Sequence, residues 1–115
     1  MLFTSSSKSL LILVSEIFLS LLFPLSWTHC YIPLLPTFLF PVLSAPMPYL
    51  CGVLKPDLPT ALMELSPECI IVDLDTSTIT FGGETPPLPP LPARRKAKLE
   101  RALTTHAPNT YQVSR

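Results

Sequence analysis

The sequence predicts an α/β fold, on three observations. A helix-length apolar segment stands near the start. Short runs rich in Ile, Val, Tyr and Cys recur after it, each bounded by Pro or Gly. One of these runs, Ile70-Ile71-Val72, is apolar on both faces, as in a strand covered from two sides.

Residues 10–25 read LLILVSEIFLSLLFPL. A membrane span needs about 20 apolar residues, and a carboxylate at its centre costs on the order of 2.5 kcal/mol or more. This run is shorter, holds Glu16 in its middle and is followed by no small-x-small cleavage site. Ser5, Ser9, Glu16 and Ser20 fall at intervals of four or seven, one narrow polar stripe on a helix. That pattern predicts a core helix buried on most sides, capped by Thr4 or Ser5 and stopped by Pro24. On pattern alone, a signal or anchor segment in a small secreted or anchored protein stays open as the alternative.

Residues 30–35 predict a short strand, and residues 37–43 one or two helical turns limited by Pro41. A turn at Ala45-Pro46-Met47-Pro48 follows. Residues 49–53 predict a second strand, in which Gly52 signals close backbone approach. Residues 59–65 predict a short helix with Pro at its start. Residues 69–74 and 79–81 predict two further strands, the last ended by Gly82-Gly83. The proline-rich connector 85–92 predicts polyproline II, residues 93–104 an amphipathic basic helix, and residues 106–115 a flexible tail.

Composition narrows the function classes. The 115 residues leave room for one small domain. Hydrophobic residues make up 48% and charged residues only 14%, so the chain lacks polar material to cover its outside and should lean on a partner surface, a neighbouring lobe or a membrane. The net charge of zero conceals an asymmetry. Lys8 and Lys55 are the only bases before Pro92, against seven acids; after Pro92, six bases face Glu100 alone. The three cysteines, Cys30, Cys51 and Cys69, have no metal-ligand spacing and predict reduced thiols in apolar surroundings.

Asp73-Leu74-Asp75 after a buried strand is similar to the haloacid dehalogenase nucleophile motif, whose first Asp attacks phosphorus. That chemistry also needs a downstream Lys on its own element and an acidic pair for Mg²⁺. Only Glu84 and Glu100 follow as acids, and Lys96 and Lys98 lie in a basic run, so two structural carboxylates are the better reading. Leu88 to Arg94 matches the class II SH3-ligand pattern, with Pro89 and Pro92 as the groove prolines and Arg94 for an acidic pocket. A stiff connector is the alternative. The cluster Arg94-Arg95-Lys96-Ala97-Lys98 could meet nucleic acid or an anionic lipid surface, but it lacks aromatic interleaving, and a solvated helix face is the better reading. His29 and His106 have no nucleophile and orienting acid around them, and no phosphate-cradling glycine loop is present. Nothing here predicts an enzyme with its own active site, a cofactor or a metal.

Three blocks carry a family resemblance. Phe23-Pro24-Leu25-Ser26-Trp27-Thr28-His29-Cys30-Tyr31-Ile32-Pro33-Leu34-Leu35-Pro36 resembles the central DENN signature in Pro24, Trp27, His29, Tyr31, Pro33 and Pro36. Ala45-Pro46-Met47-Pro48-Tyr49-Leu50-Cys51-Gly52 resembles the family's next block in Ala45, Pro46, Pro48, Tyr49 and Gly52. Ile70-Ile71-Val72-Asp73-Leu74-Asp75 is similar to the strand ending in Asp73 and Asp75. Order and gaps agree from about residue 2 to 103. The resemblance implies residues 1–105 as a partial DENN domain, an incomplete three-layer lobe with short buried strands. It implies guanine-nucleotide exchange on Rab-type small GTPases in membrane trafficking, in the cytoplasm and peripherally on vesicle or endosomal membranes, with no transmembrane span. A full module also has an upstream longin-like lobe and a downstream helical part; both are absent here, so a fragment inactive in isolation is expected. The matching residues read as structural, and no GTPase-contact residue is assigned.

Overall fold

The computed structural model describes residues 1–106. A five-stranded sheet has the order β2-β3-β1-β4-β5. β1 (Leu2–Ser5) is central and pairs in parallel with β3 (Tyr49–Leu54) and β4 (Ile70–Asp73). β2 (Cys30–Ile32) extends the parallel part, and β5 (Thr78–Phe81) returns antiparallel to β4.

Alternation along β1 sorts the core into two layers. Leu2 packs with Leu35, Phe40, Leu43, Cys51, Val53 and Ala61. Phe3 packs with Leu11 and Leu50 on the other side, and its ring meets Phe18 edge-on at 5.7 Å. α1 (Lys8–Ser20) covers the Phe3 side. The 3₁₀ segment Thr37–Ser44 and α2 (Leu58–Leu62), entered through the 3₁₀ turn Lys55–Asp57, cover the other. The α/β class and the three layers are therefore present. α3 (Ala93–His106) is the basic helix, and every residue in it is exposed.

The structure departs from the sequence reading in several places, among them Pro41, which lies inside the 3₁₀ segment instead of limiting it, and α2, which ends at Leu62 rather than residue 65. Leu2–Ser5 is a strand, and the helix cap is Ser7, whose Oγ accepts from the Leu10 amide at 3.2 Å. Neither Thr4 nor Ser5 caps, because both are buried in the sheet. α1 ends at Ser20, before Pro24, and is covered on one side only. Leu11 and Ser15 are buried, while Ile12, Leu13 and Ile17 are 44%, 57% and 49% exposed. The polar stripe through Ser9, Glu16 and Ser20 does face outward, but apolar neighbours share that face. β2 stops at Ile32 because Pro33 has no N–H to give the ladder; the Leu35 amide then bonds Gly52 O at 2.7 Å. α3 includes His106, and the rest of the expected tail, residues 107–115, lies outside the described residues.

Candidate interaction surface

The residues singled out from sequence fall into separate places. Asp73 and Asp75 sit at the carboxyl end of β4, beside the carboxyl end of β1. Ligands of open α/β sheets usually bind at such strand ends. Here the end is closed from within. Ser5 Oγ donates to Asp75 Oδ1 at 2.6 Å, and the Ser6 amide donates to Asp75 Oδ2 at 2.8 Å. The carboxylate thus occupies the position ahead of α1 that an anion would take. Lys55 Nζ pairs with Asp73 Oδ2, while Asp73 Oδ1 accepts from the Asp75 and Thr76 amides at 3.0 and 3.3 Å. Those bonds shape the β4–β5 turn, in which Ser77 has φ 54°.

Both carboxyls are held below the ordinary value of 3.8. For Asp73, partial burial pushes upward, but the Lys55 ammonium and the two turn amides outweigh it. For Asp75, the Ser5 hydroxyl and then the Ser6 amide favour the charged form. Each carboxylate is held by internal partners on both oxygens, so the arrangement braces the strand ends rather than attacking phosphorus.

The first block binds β2 to α1. Trp27 Nε1 donates to Cys30 O at 2.9 Å, and the Trp27 ring meets His29 edge-on at 5.4 Å. Tyr31 Oη donates to Glu16 Oε1 at 2.7 Å. Burial, then the Glu16 carboxylate, pushes the Tyr31 phenol up to about 12. Pro24 follows Phe23 through a cis peptide and is exposed, as is His29. A Cβ on Gly52 would overlap the Pro33 carbonyl oxygen, so glycine is what lets residues 33–35 cross β3.

The second block leads into β3 beside the start of β2, at the end of the sheet away from Asp73 and Asp75. Pro36 precedes the segment Thr37–Ser44, and Ala45 closes it with a bond to Val42 O at 3.0 Å. Tyr49 Oη donates to Leu43 O at 3.0 Å, and burial raises the Tyr49 phenol. Ala45, Pro46, Pro48 and Tyr49 line an open cleft of about 630 Å³, with Ile70 and Leu88 across it. Cys30, Cys51 and Cys69 are free thiols. Burial, then the adjacent Cys30 thiol, pushes the Cys51 thiol up to about 12, which makes it unreactive. Among the described residues, no group of three or more His, Cys, Asp or Glu is placed to hold a metal.

Pro89, Pro92 and Arg94 are all exposed and follow Leu88 of that cleft in sequence. The sequence reading missed the partners: Ser5, Ser6 and Lys55 for the aspartates, and Glu16 for Tyr31. Lys55 carried a signal, as the lone base between Lys8 and Arg94. It also missed the apolar strip Ile12, Leu13, Ile17 and Leu21 on the outside of α1, continued by exposed Phe23 and Leu25. Such a strip marks a contact surface rather than a catalytic centre. No helix among the described residues is long and apolar enough to cross a membrane.

Comparison with known proteins places this architecture. The DENN (AEX-3) domain family model matches residues 1–77. "Elicitor of plant defense protein 1" of Fusarium odoratissimum is 35% identical over 104 residues, 90% of this chain and 11% of its own. The protein of that name from Verticillium dahliae is 35% identical over 106 residues, covering 92% and 9%. "DENN domain and WD repeat-containing protein SCD1" of Arabidopsis thaliana is 39% identical over 85 residues, covering 74% and 7%. The chain spans about a tenth or less of the length of these relatives.

Proposed function

The chain belongs to the DENN domain family, and from that premise we propose that it is the central part of a guanine-nucleotide exchange factor for Rab-type small GTPases. The family match over residues 1–77 carries the reading. In exchange of this kind a protein surface stabilises the nucleotide-free GTPase, so two binding equilibria oppose each other and no reacting group is needed. A braced sandwich with an uncovered apolar strip on α1 suits that role. In this reading the domain runs from residue 1 to about 105 and includes the connector 85–92 and α3. Alone it lacks exchange activity, because the flanking lobes of the module supply the rest of the GTPase contact. Cytoplasmic placement on trafficking vesicles follows from the same premise.

The test is release of fluorescent GDP from a panel of Rab-type GTPases by stopped flow. The chain alone is expected to leave the rate unchanged, and the chain joined to both flanking lobes is expected to raise it. Fast release by the chain alone would refute its dependence on those lobes. No acceleration by the complete module would refute the exchange role.

A second reading is a non-catalytic SH3 ligand. It is favoured by the exposure of Pro89, Pro92 and Arg94. Fluorescence titration of the chain against SH3 domains tests it: Arg94→Ala should weaken binding, and equal binding by the variant sinks the idea.

A further inference from the structure

We infer that α3 is a membrane-surface helix that docks on anionic lipid headgroups, with Leu99 and Leu103 entering the acyl boundary. α3 lies beyond the residues matched by the family model, and none of its residues is buried. Its charge is one-sided: Arg94, Arg95, Lys96, Lys98 and Arg101 stand against Glu100. Leu99 and Leu103 are four residues apart, share a face with Ala102, and are 51% and 49% exposed. Lys96 flanks that face on one side and Lys98 on the other, while Arg95 continues the same stripe one turn before Leu99. Long basic side chains in those positions reach headgroups while the leucines sit lower.

Three further observations favour a lipid surface. The helix has 14 residues, about 21 Å, so it can lie on a bilayer but not cross the ~30 Å hydrocarbon core. Thr104 and Thr105 turn their hydroxyls back onto the carbonyls of Glu100 and Arg101 at 2.8 and 2.9 Å, which lowers the cost of leaving water. Before Pro92 the chain has seven acids against two bases, so an anionic membrane repels the body and attracts only this helix. The connector 86–92 forms no helix or strand and keeps the two apart in sequence.

The test is sedimentation of the full chain with vesicles of phosphatidylcholine alone, and of phosphatidylcholine with about 30 mol% phosphatidylserine. Binding is expected on the second only. It should fall when salt rises from about 0.1 to about 1 M, as the Debye length shrinks from ~10 to ~3 Å. Replacing Arg95, Lys96 and Lys98 by Gln should weaken affinity about 100-fold, at about fivefold per cation. The pair Leu99→Gln and Leu103→Gln should weaken it about tenfold or more. All five positions are exposed, so the body should stay folded, as circular dichroism will show. Equal sedimentation with both vesicles, none with either, or full binding by the leucine variant would overturn the assignment. So would capture by polyglutamate or single-stranded RNA in preference to the vesicles. Exchange by the complete module is a separate readout, so failure of vesicle binding leaves the exchange reading standing, and the reverse.

Discussion

Gly52→Ala should destabilise the fold strongly, and Gly83→Ala should not destabilise it at all. Gly52 lies in β3 opposite Phe3, at the middle of the sheet. A Cβ there would overlap the Pro33 carbonyl oxygen, and would stand 3.1 Å from Pro33 C and 3.4 Å from Leu11 Cδ2. The leucine tip can move; the backbone of residues 33–35 cannot move freely. It is tied by the Leu35 amide to Gly52 O at 2.7 Å, and the Leu35 side chain is 4% exposed in the core. Overpacking costs about 1–3 kcal/mol, and a buried amide left without its acceptor adds about 1–3 kcal/mol. Together they predict a loss of about 3 kcal/mol, or about 12–24 °C in Tm for a domain of this size. At Gly83 an added Cβ meets nothing within 4 Å and φ is not positive. Alanine there should be neutral or stabilise by about 0.5 kcal/mol, through the unfolded chain. Urea unfolding of both variants measures the contrast. A Gly52→Ala protein within about 0.5 kcal/mol of its parent would refute the close crossing of the Pro33 loop over β3.

The two sides of α1 should respond differently. Leu11→Ala should cost about 3 kcal/mol in urea unfolding, against about 0.5 kcal/mol or less for Leu13→Ala, because Leu11 is fully buried and Leu13 is 57% exposed; equal costs would contradict the docking. Ser15 Oγ is buried without a partner, so Ser15→Ala should raise stability by about 1 kcal/mol, and a loss would show that the hydroxyl is bonded. Asp73 and Asp75 titrate below 3.8 when folded, so their stabilisation is complete above the unfolded pKa and is lost as pH falls through the lowered values. Tm measured from about pH 6 to about pH 3 should drop more steeply in the parent than in the double Asp73→Asn, Asp75→Asn variant, and identical slopes would sink the bracing role. Tyr31, raised to about 12, contributes stability that is full below its ordinary 10.0 and disappears as pH rises through 12. In an ultraviolet titration, Glu16→Gln should lower that pKa only partly, because burial is the larger cause; a return to 10.0 would reverse that ranking.

Much of this architecture was legible because its strands and helices are punctuated by proline. β3, β4 and β5 fall within one or two residues of their expected bounds, and the glycine in β3 marks a real crossing. The central strand was not legible. Leu2–Ser5 is four residues long and buried throughout, so it shows no alternation, and its own Thr4 and Ser5 read as helix caps. The polar partners were hidden for a different reason. Ser5 and Asp75 are 70 residues apart, and only the parallel pairing of β1 with β4 brings them within 2.6 Å. A lone base in an acidic stretch, as Lys55 is, was the one local clue to a distant carboxylate.

The outer face of α1 poses the remaining physical question. A helix on one side of a sheet needs a single apolar stripe, and α1 has Leu11, Phe18 and Leu19 for that purpose. Ile12, Leu13, Ile17 and Leu21 are additional, and about half or more of each stays in water. Covering what remains would contribute about 1–2 kcal/mol each. Ser15 is buried while those residues are exposed, so the composition of this helix is not explained by the sheet alone. A second surface over α1 accounts for both the breadth of its apolar face and the low charge content of the chain. If that surface belongs to the rest of an exchange module, joining the flanking lobes should protect the amides of residues 12–21 from hydrogen exchange. If those amides exchange at the same rate with and without the lobes, α1 is not where the module closes, and the apolar strip must meet another protein.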